Sequence, residues 1–168
     1  MKRDFASLTS QEALHVAIFI EERNAHIYEN FAQMFAEFRD AESRQIAASF
    51  EEMAAEERRH SSALQERYAE RYGNQACALT DQDIAEVIEV PQLDDGEMFI
   101  HGTIPRQKAL EVGIAAEQGA RRFYTSAVEF TTDPQLRALY TELSEFEEDH
   151  VRFFEQKLAQ TRLAAGGG

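Results

Sequence analysis

Residues 46–64 read IAASFEEMAAEERRHSSAL, and residues 136–154 read LRALYTELSEFEEDHVRFF. Laid over each other at a shift of 90, Ile46 meets Leu136, Phe50 meets Tyr140 and Met53 meets Leu143. Glu57 then meets Glu147, and His60 meets His150. These positions recur alternately four and three residues apart, the spacing of one buried stripe on an α-helix. Both stripes are apolar to mid-length, where each turns to glutamate and then histidine. Two long helices that bury Glu-x-x-His need partners to enclose them.

The rest of the chain supplies them by the same repetition. At a shift of 96, Leu14 meets Leu110, Val16 meets Val112 and Ile18 meets Ile114; Glu21 then meets Glu117 and Tyr28 meets Tyr124. The first helix opens at Thr9, where Glu12 completes a capping box, and runs to about Arg39. Asp40 caps the second, which runs to Tyr72 and stops at Gly73. Pro105 suits the first residue of the third, which runs to about Thr131. Asp133-Pro134 starts the fourth, which ends near Thr161. Short turns close each helix pair, while residues 73–104 form a long crossover. Within it Thr80 and Asp83 make another capping box before Ile84, and residues 91–97 read as a surface loop. The expectation is an all-α four-helix bundle of up-down, crossover, up-down order. One domain over residues 1–162 is followed by a flexible tail, 163–168.

Composition agrees and narrows the function. A chain of 168 residues, 43% hydrophobic, suits one core. A net charge of −14 argues against a nucleic-acid surface, which needs a basic footprint. Cys77 is the sole cysteine, which rules out an internal disulfide and an iron site held by four cysteines within the chain. Met1-Lys-Arg-Asp-Phe has no apolar run behind it, and no stretch is long and apolar enough to span a bilayer, so no membrane partner and a cytoplasmic location are expected.

Four glutamates on core stripes pose an electrostatic problem. Burying even one unpaired charge costs several kcal/mol, and like charges raise each other's pKa. Two divalent cations would balance Glu21, Glu57, Glu117 and Glu147 and leave His60 and His150 as neutral ligands. One Glu from each of two helices plus Glu-x-x-His from each of the other two is the ligand set of di-iron carboxylate bundles. Carboxylate and imidazole suit manganese and zinc as well as iron.

The repeat separates these six from their neighbours. Glu12-x-x-His15 is a third copy of the motif, but Glu12 is a capping residue and the repeat matches neither. Glu56 could reach a metal alongside His60, yet its counterpart is Phe146, so Glu57 is preferred. Glu22 corresponds to Gln118, so Glu21 is preferred, and Glu148, opposite Arg58, reads as solvated. Arg121 falls on the third stripe, either paired with a carboxylate near the site or snorkelling out.

Glu21-x6-Tyr28, Glu57-Arg-Arg-His60, Ala-Ala-Glu117-x6-Tyr124 and Glu147-Glu-Asp-His150 together resemble the rubrerythrin branch of the ferritin-like superfamily, over nearly the whole chain. The resemblance implies that Glu57 and Glu147 bridge two iron ions, that Glu21 and Glu117 are terminal ligands, and that His60 and His150 hold one iron each. Tyr28 and Tyr124 would be hydrogen-bond partners of the ligands, or else plain core aromatics. Rubrerythrins usually carry a further glutamate three residues after the terminal one on the third helix; here that position is Ala120, and its counterpart is Asn24. The family's shift of one iron from histidine to that glutamate therefore has no carboxylate to use here.

The activity so implied is that of a di-iron oxidoreductase reducing hydrogen peroxide or dioxygen, as a homodimer supplied with electrons by a separate donor protein. Peroxide reduction is preferred. Ferroxidase activity with iron handling is the alternative, and a zinc-stabilised binding module without turnover is a third reading of a different class.

Overall fold

The computed structural model of the chain describes residues 5–80, 82–84 and 106–166. After a 3-10 turn at Phe5–Ser7, the described residues form four long helices: α1 (Ser10–Ala36), α2 (Ala41–Tyr72), α3 (Arg106–Phe130) and α4 (Pro134–Gly166). The starts are chemically determined. Thr9 accepts from the Glu12 backbone while the Glu12 carboxylate accepts from the Thr9 N–H at 2.9 Å, which closes the expected capping box. Asp40 takes the Ser43 N–H at 2.8 Å, and Asp133 takes those of Gln135 and Leu136 at 2.8 and 3.1 Å. Gly73 ends α2 at φ 57°, a conformation that a side chain disfavours. The Thr80–Asp83 box is also present, with the Thr80 N–H donating to the Asp83 carboxylate at 2.9 Å and Ile84 fully buried behind it. The loop at 91–97 and Pro105 lie outside the described residues.

Two helix ends differ from expectation. α1 stops at Ala36 rather than near Arg39, and α4 runs past Thr161 to Gly166. Arg162, Leu163 and Ala164 are good helix formers, and Arg162 anchors to Glu111 of α3 at 3.0 Å.

α1 packs along α2 and α3 along α4, with α1 facing α3 and α2 facing α4 across the pairs. Arg106 at the start of α3 meets Asp40 and Glu42 at the start of α2, at 3.2 and 2.9 Å. Arg71 at the end of α2 meets Asp133 beyond the end of α3, at 2.6 Å. α2 and α3 are therefore parallel, and the order is up, down, down, up. The second pair is thus inverted relative to the order expected from sequence.

The buried apolar residues form two clusters rather than one. Leu14, Ile20, Leu64, Phe123, Leu136 and Tyr140 belong to the first. Phe31, Phe35, Ile46, Phe50, Leu110 and Phe154 belong to the second. The second is rich in aromatic contacts, with Phe50 lying 5.0 Å from Phe31 and 5.4 Å from Phe154, centroid to centroid. A Cβ at Gly113 would meet the Phe154 ring at 3.0 Å, so glycine is what lets that ring lie against α3. Between the clusters lies a polar layer.

Candidate metal centre

That layer is built by four helices each turning one glutamate inward on an otherwise apolar stripe. Glu21, Glu57, Glu117 and Glu147 are all fully buried, and His150 is 4% exposed. His60 is the most open of the six, with 15% of its side chain reaching solvent. All six come together. Ligand-type atoms of Glu21, Glu57, His60 and Glu147 lie within 4.8 Å of one another, as do those of Glu57, Glu117, Glu147 and His150. Glu57 and Glu147 belong to both groups. Glu12 and His15 belong to neither: Glu12 caps α1 and His15 packs against Tyr68.

The tyrosines cross between the pairs. Tyr28 of α1 donates its hydroxyl to Glu117 of α3, and Tyr124 of α3 donates to Glu21 of α1. They are thus partners of the site and not only core aromatics. Burial, reinforced by the surrounding carboxylates, pushes both phenols well above their ordinary range, so they remain donors. Each engages one oxygen of its glutamate and leaves the other without a hydrogen bond. Glu57 and Glu147 have neither oxygen hydrogen-bonded. With Glu21 Oε2, Glu117 Oε2 and the Nδ1 atoms of His60 and His150, these are buried polar atoms that lack hydrogen-bond partners and face one another. Unsatisfied buried groups are rare because each costs about 1–3 kcal/mol, and a cluster of them on converging carboxylates and imidazoles fits a cation site. The donor set is one that can hold metal.

The charges in this layer are displaced accordingly. Burial and the neighbouring carboxylates raise Glu57 and Glu147 well above the usual carboxylate range. Burial alone would also raise Glu117, but its contacts with Glu147, His150 and the Tyr28 hydroxyl outweigh that and hold it low. Burial disfavours a charged His150, yet contacts with Glu117, Glu147 and Glu57 raise it far above an ordinary imidazole.

The sequence profile of the rubrerythrin family matches residues 12–158. The chain belongs to the rubrerythrin family. A crystal structure of an uncharacterised conserved protein from Magnetospirillum magnetotacticum MS-1 shares the fold at a TM-score of 0.74 and 20% identity, covering 91% of this chain and 95% of that one. No curated protein matches the sequence. No helix among the described residues is long and apolar enough to cross a membrane.

In this rubrerythrin-family bundle three residues depart from what the stripes suggest. Arg121 is not on the buried face: it is exposed and pairs outward with Glu148 at 3.0 Å, so the stripe passes through Ala120 instead. Glu148 is accordingly ion-paired at the surface rather than simply solvated, since Arg152 reaches it too. Arg23, which the stripe left out, is drawn inward beside Asn24, its Nη2 donating to the Asn24 amide oxygen at 2.9 Å. Burial lowers its pKa against the opposing pull of Tyr28, Glu117, Glu21 and Glu57, so a guanidinium sits beside the carboxylate layer. Its signal in the sequence was a break in the repeat, where Arg23 and Asn24 face Gly119 and Ala120.

The crossed hydroxyls lead to a direct expectation. Tyr124→Phe should strand a second buried oxygen on Glu21 and lower metal-free stability by about 1–3 kcal/mol, and Tyr28→Phe should do the same through Glu117. Urea unfolding of the metal-free variants measures this, and a loss below about 0.5 kcal/mol would mark both tyrosines as packing groups only.

Proposed function

We propose that the protein is a non-haem di-iron oxidoreductase that reduces hydrogen peroxide, with Glu57 and Glu147 bridging the metals. The observation that carries this is the division of oxygens. The glutamates shared by both groups keep both oxygens free of hydrogen bonds, whereas Glu21 and Glu117 each accept a tyrosine hydroxyl on one oxygen. A bridge needs two oxygens and a terminal ligand needs one. Iron in this centre would supply two electrons to an O–O bond, and reducing peroxide to two waters takes two electrons and two protons.

The chain's own residues do the rest. Tyr28 and Tyr124 fix the terminal carboxylates, and the two apolar clusters shield the layer above and below. A groove of about 360 Å³ between α2 and α4, bordered by Glu56, Arg59, Leu139 and Phe146, reaches His60 and gives a small oxidant a way in. A separate donor protein returns the electrons, and the working form is a homodimer.

The test is anaerobic loading with Fe(II), then separate challenge with peroxide and dioxygen while the absorbance is followed. Faster oxidation by peroxide is expected. Faster oxidation by dioxygen would favour a ferroxidase, and a site that holds metal with no redox change would favour a binding module.

A further inference from the structure

The internal repeat predicts two equivalent histidines, and the structure makes them different. His150 turns Nδ1 toward Glu57, Glu147 and Glu117 at 3.2, 3.5 and 3.7 Å. Its other nitrogen, Nε2, meets Glu56 Oε2 at 2.9 Å. Glu56 is itself held, because its second oxygen pairs with Arg59 at 3.3 Å. His60 also turns Nδ1 inward, to Glu21 Oε2 at 3.3 Å. Where the repeat would put an acid behind it, however, stands Phe146, with its ring 5.1 Å from the imidazole and inclined by 30°. Phenylalanine offers no acceptor, and among the described residues no side chain accepts from His60 Nε2. Phe146 is 41% exposed, an unusual place for a large aromatic, and it borders the groove that opens onto His60.

We propose that Glu56 is a positioning residue that makes the His150 metal position the tighter of two inequivalent positions, with the His60 position beneath Phe146 the exchangeable one. This rests on the di-metal reading above. A carboxylate behind a ligating imidazole fixes its tautomer, so the Nε2 hydrogen points at Glu56 and the Nδ1 lone pair points at the metal. It also fixes the ring's orientation and makes the nitrogen a stronger donor. His60 receives none of this help, and it is the histidine that solvent reaches.

The experiment titrates metal-free protein with Co(II), a spectroscopic probe, and follows both its visible absorbance and the exchangeable imidazole N–H resonances shifted by the metal. Wild type should fill in two resolved steps. Glu56→Ala should weaken the tighter step by about 10–100-fold, leave the other largely unchanged and abolish one slowly exchanging N–H signal. Glu56→Gln keeps an acceptor and should restore that signal and part of the affinity. Phe146→Glu places an acid where the repeat lacks one and should tighten the weaker step. Glu56 is 34% exposed, so these variants are not expected to unfold, which circular dichroism checks. Two Co(II) ions binding in a single step, or Glu56→Ala weakening both steps alike, would overturn the assignment and leave the di-metal reading standing. Wild type that binds fewer than two would overturn the di-metal reading and this assignment with it.

Discussion

Glu57→Ala and Glu147→Ala are each expected to reduce the metal content from about two ions per chain to none. Both carboxylates belong to both ligand groups, and all four of their oxygens are buried without a hydrogen bond. Removing either opens both positions together. Glu21→Ala and Glu117→Ala should be milder and retain one ion, since each belongs to a single group. Metal analysis after gel filtration, with Fe(II) loaded anaerobically, separates the two patterns. Two tightly held irons in either bridging variant would show that the bridges have been assigned to the wrong residues.

Removing the metal should weaken the fold and reverse its response to acid. Ions that bind only the folded chain stabilise it by about 2.7 kcal/mol at a hundredfold excess over the dissociation constant, or on the order of 5–10 °C in the unfolding midpoint for a chain of this length. In the metal-free protein Glu57, Glu147 and His150 all have folded-state pKa values above their unfolded ones. Such groups stabilise the fold fully below the unfolded pKa, about 4.3 for Glu and 6.5 for His, and lose that contribution as pH rises through the folded value. Glu117 is depressed and acts in the opposite sense, but only as pH falls below about 4.3, outside the neutral to mildly acid window. The metal-free protein should therefore gain stability between about pH 8 and pH 5. The loaded protein should lose stability over the same range, because protons compete for the ligands. Thermal unfolding of both forms at several pH values gives the two curves, and parallel curves would refute a buried carboxylate cluster.

Much of this was legible in the sequence, because spacing and repetition fix what a helix buries. The 96 and 90 shifts identified all six cluster residues, and those residues do meet. The capping residues placed the helix starts at Thr9, Asp40 and Asp133 for reasons local to each turn. Exact repetition also conceals differences between the two halves. Phe146 breaks the match of Glu56 and so places Glu56 outside the six, yet that break is what distinguishes the two histidines. Arg23 lies off the stripe and comes inward by virtue of a long side chain, which periodicity does not register. The inversion of the second helix pair was hidden for another reason: spacing within helices carries no information about which way a long connection travels.

The polar layer also determines where the bundle is softest. Helices usually fray from their ends, where backbone groups lack partners. Here the ends are tied down by caps and by ion pairs such as Arg71–Asp133 and Arg106–Glu42, and the apolar clusters lie on either side of the middle. Without metal, the least favourable contacts of all four helices fall at one level, half-way along. Transient opening and amide exchange should then be fastest at the waist of the molecule, and metal would act as a clasp on the segment that most readily lets water in.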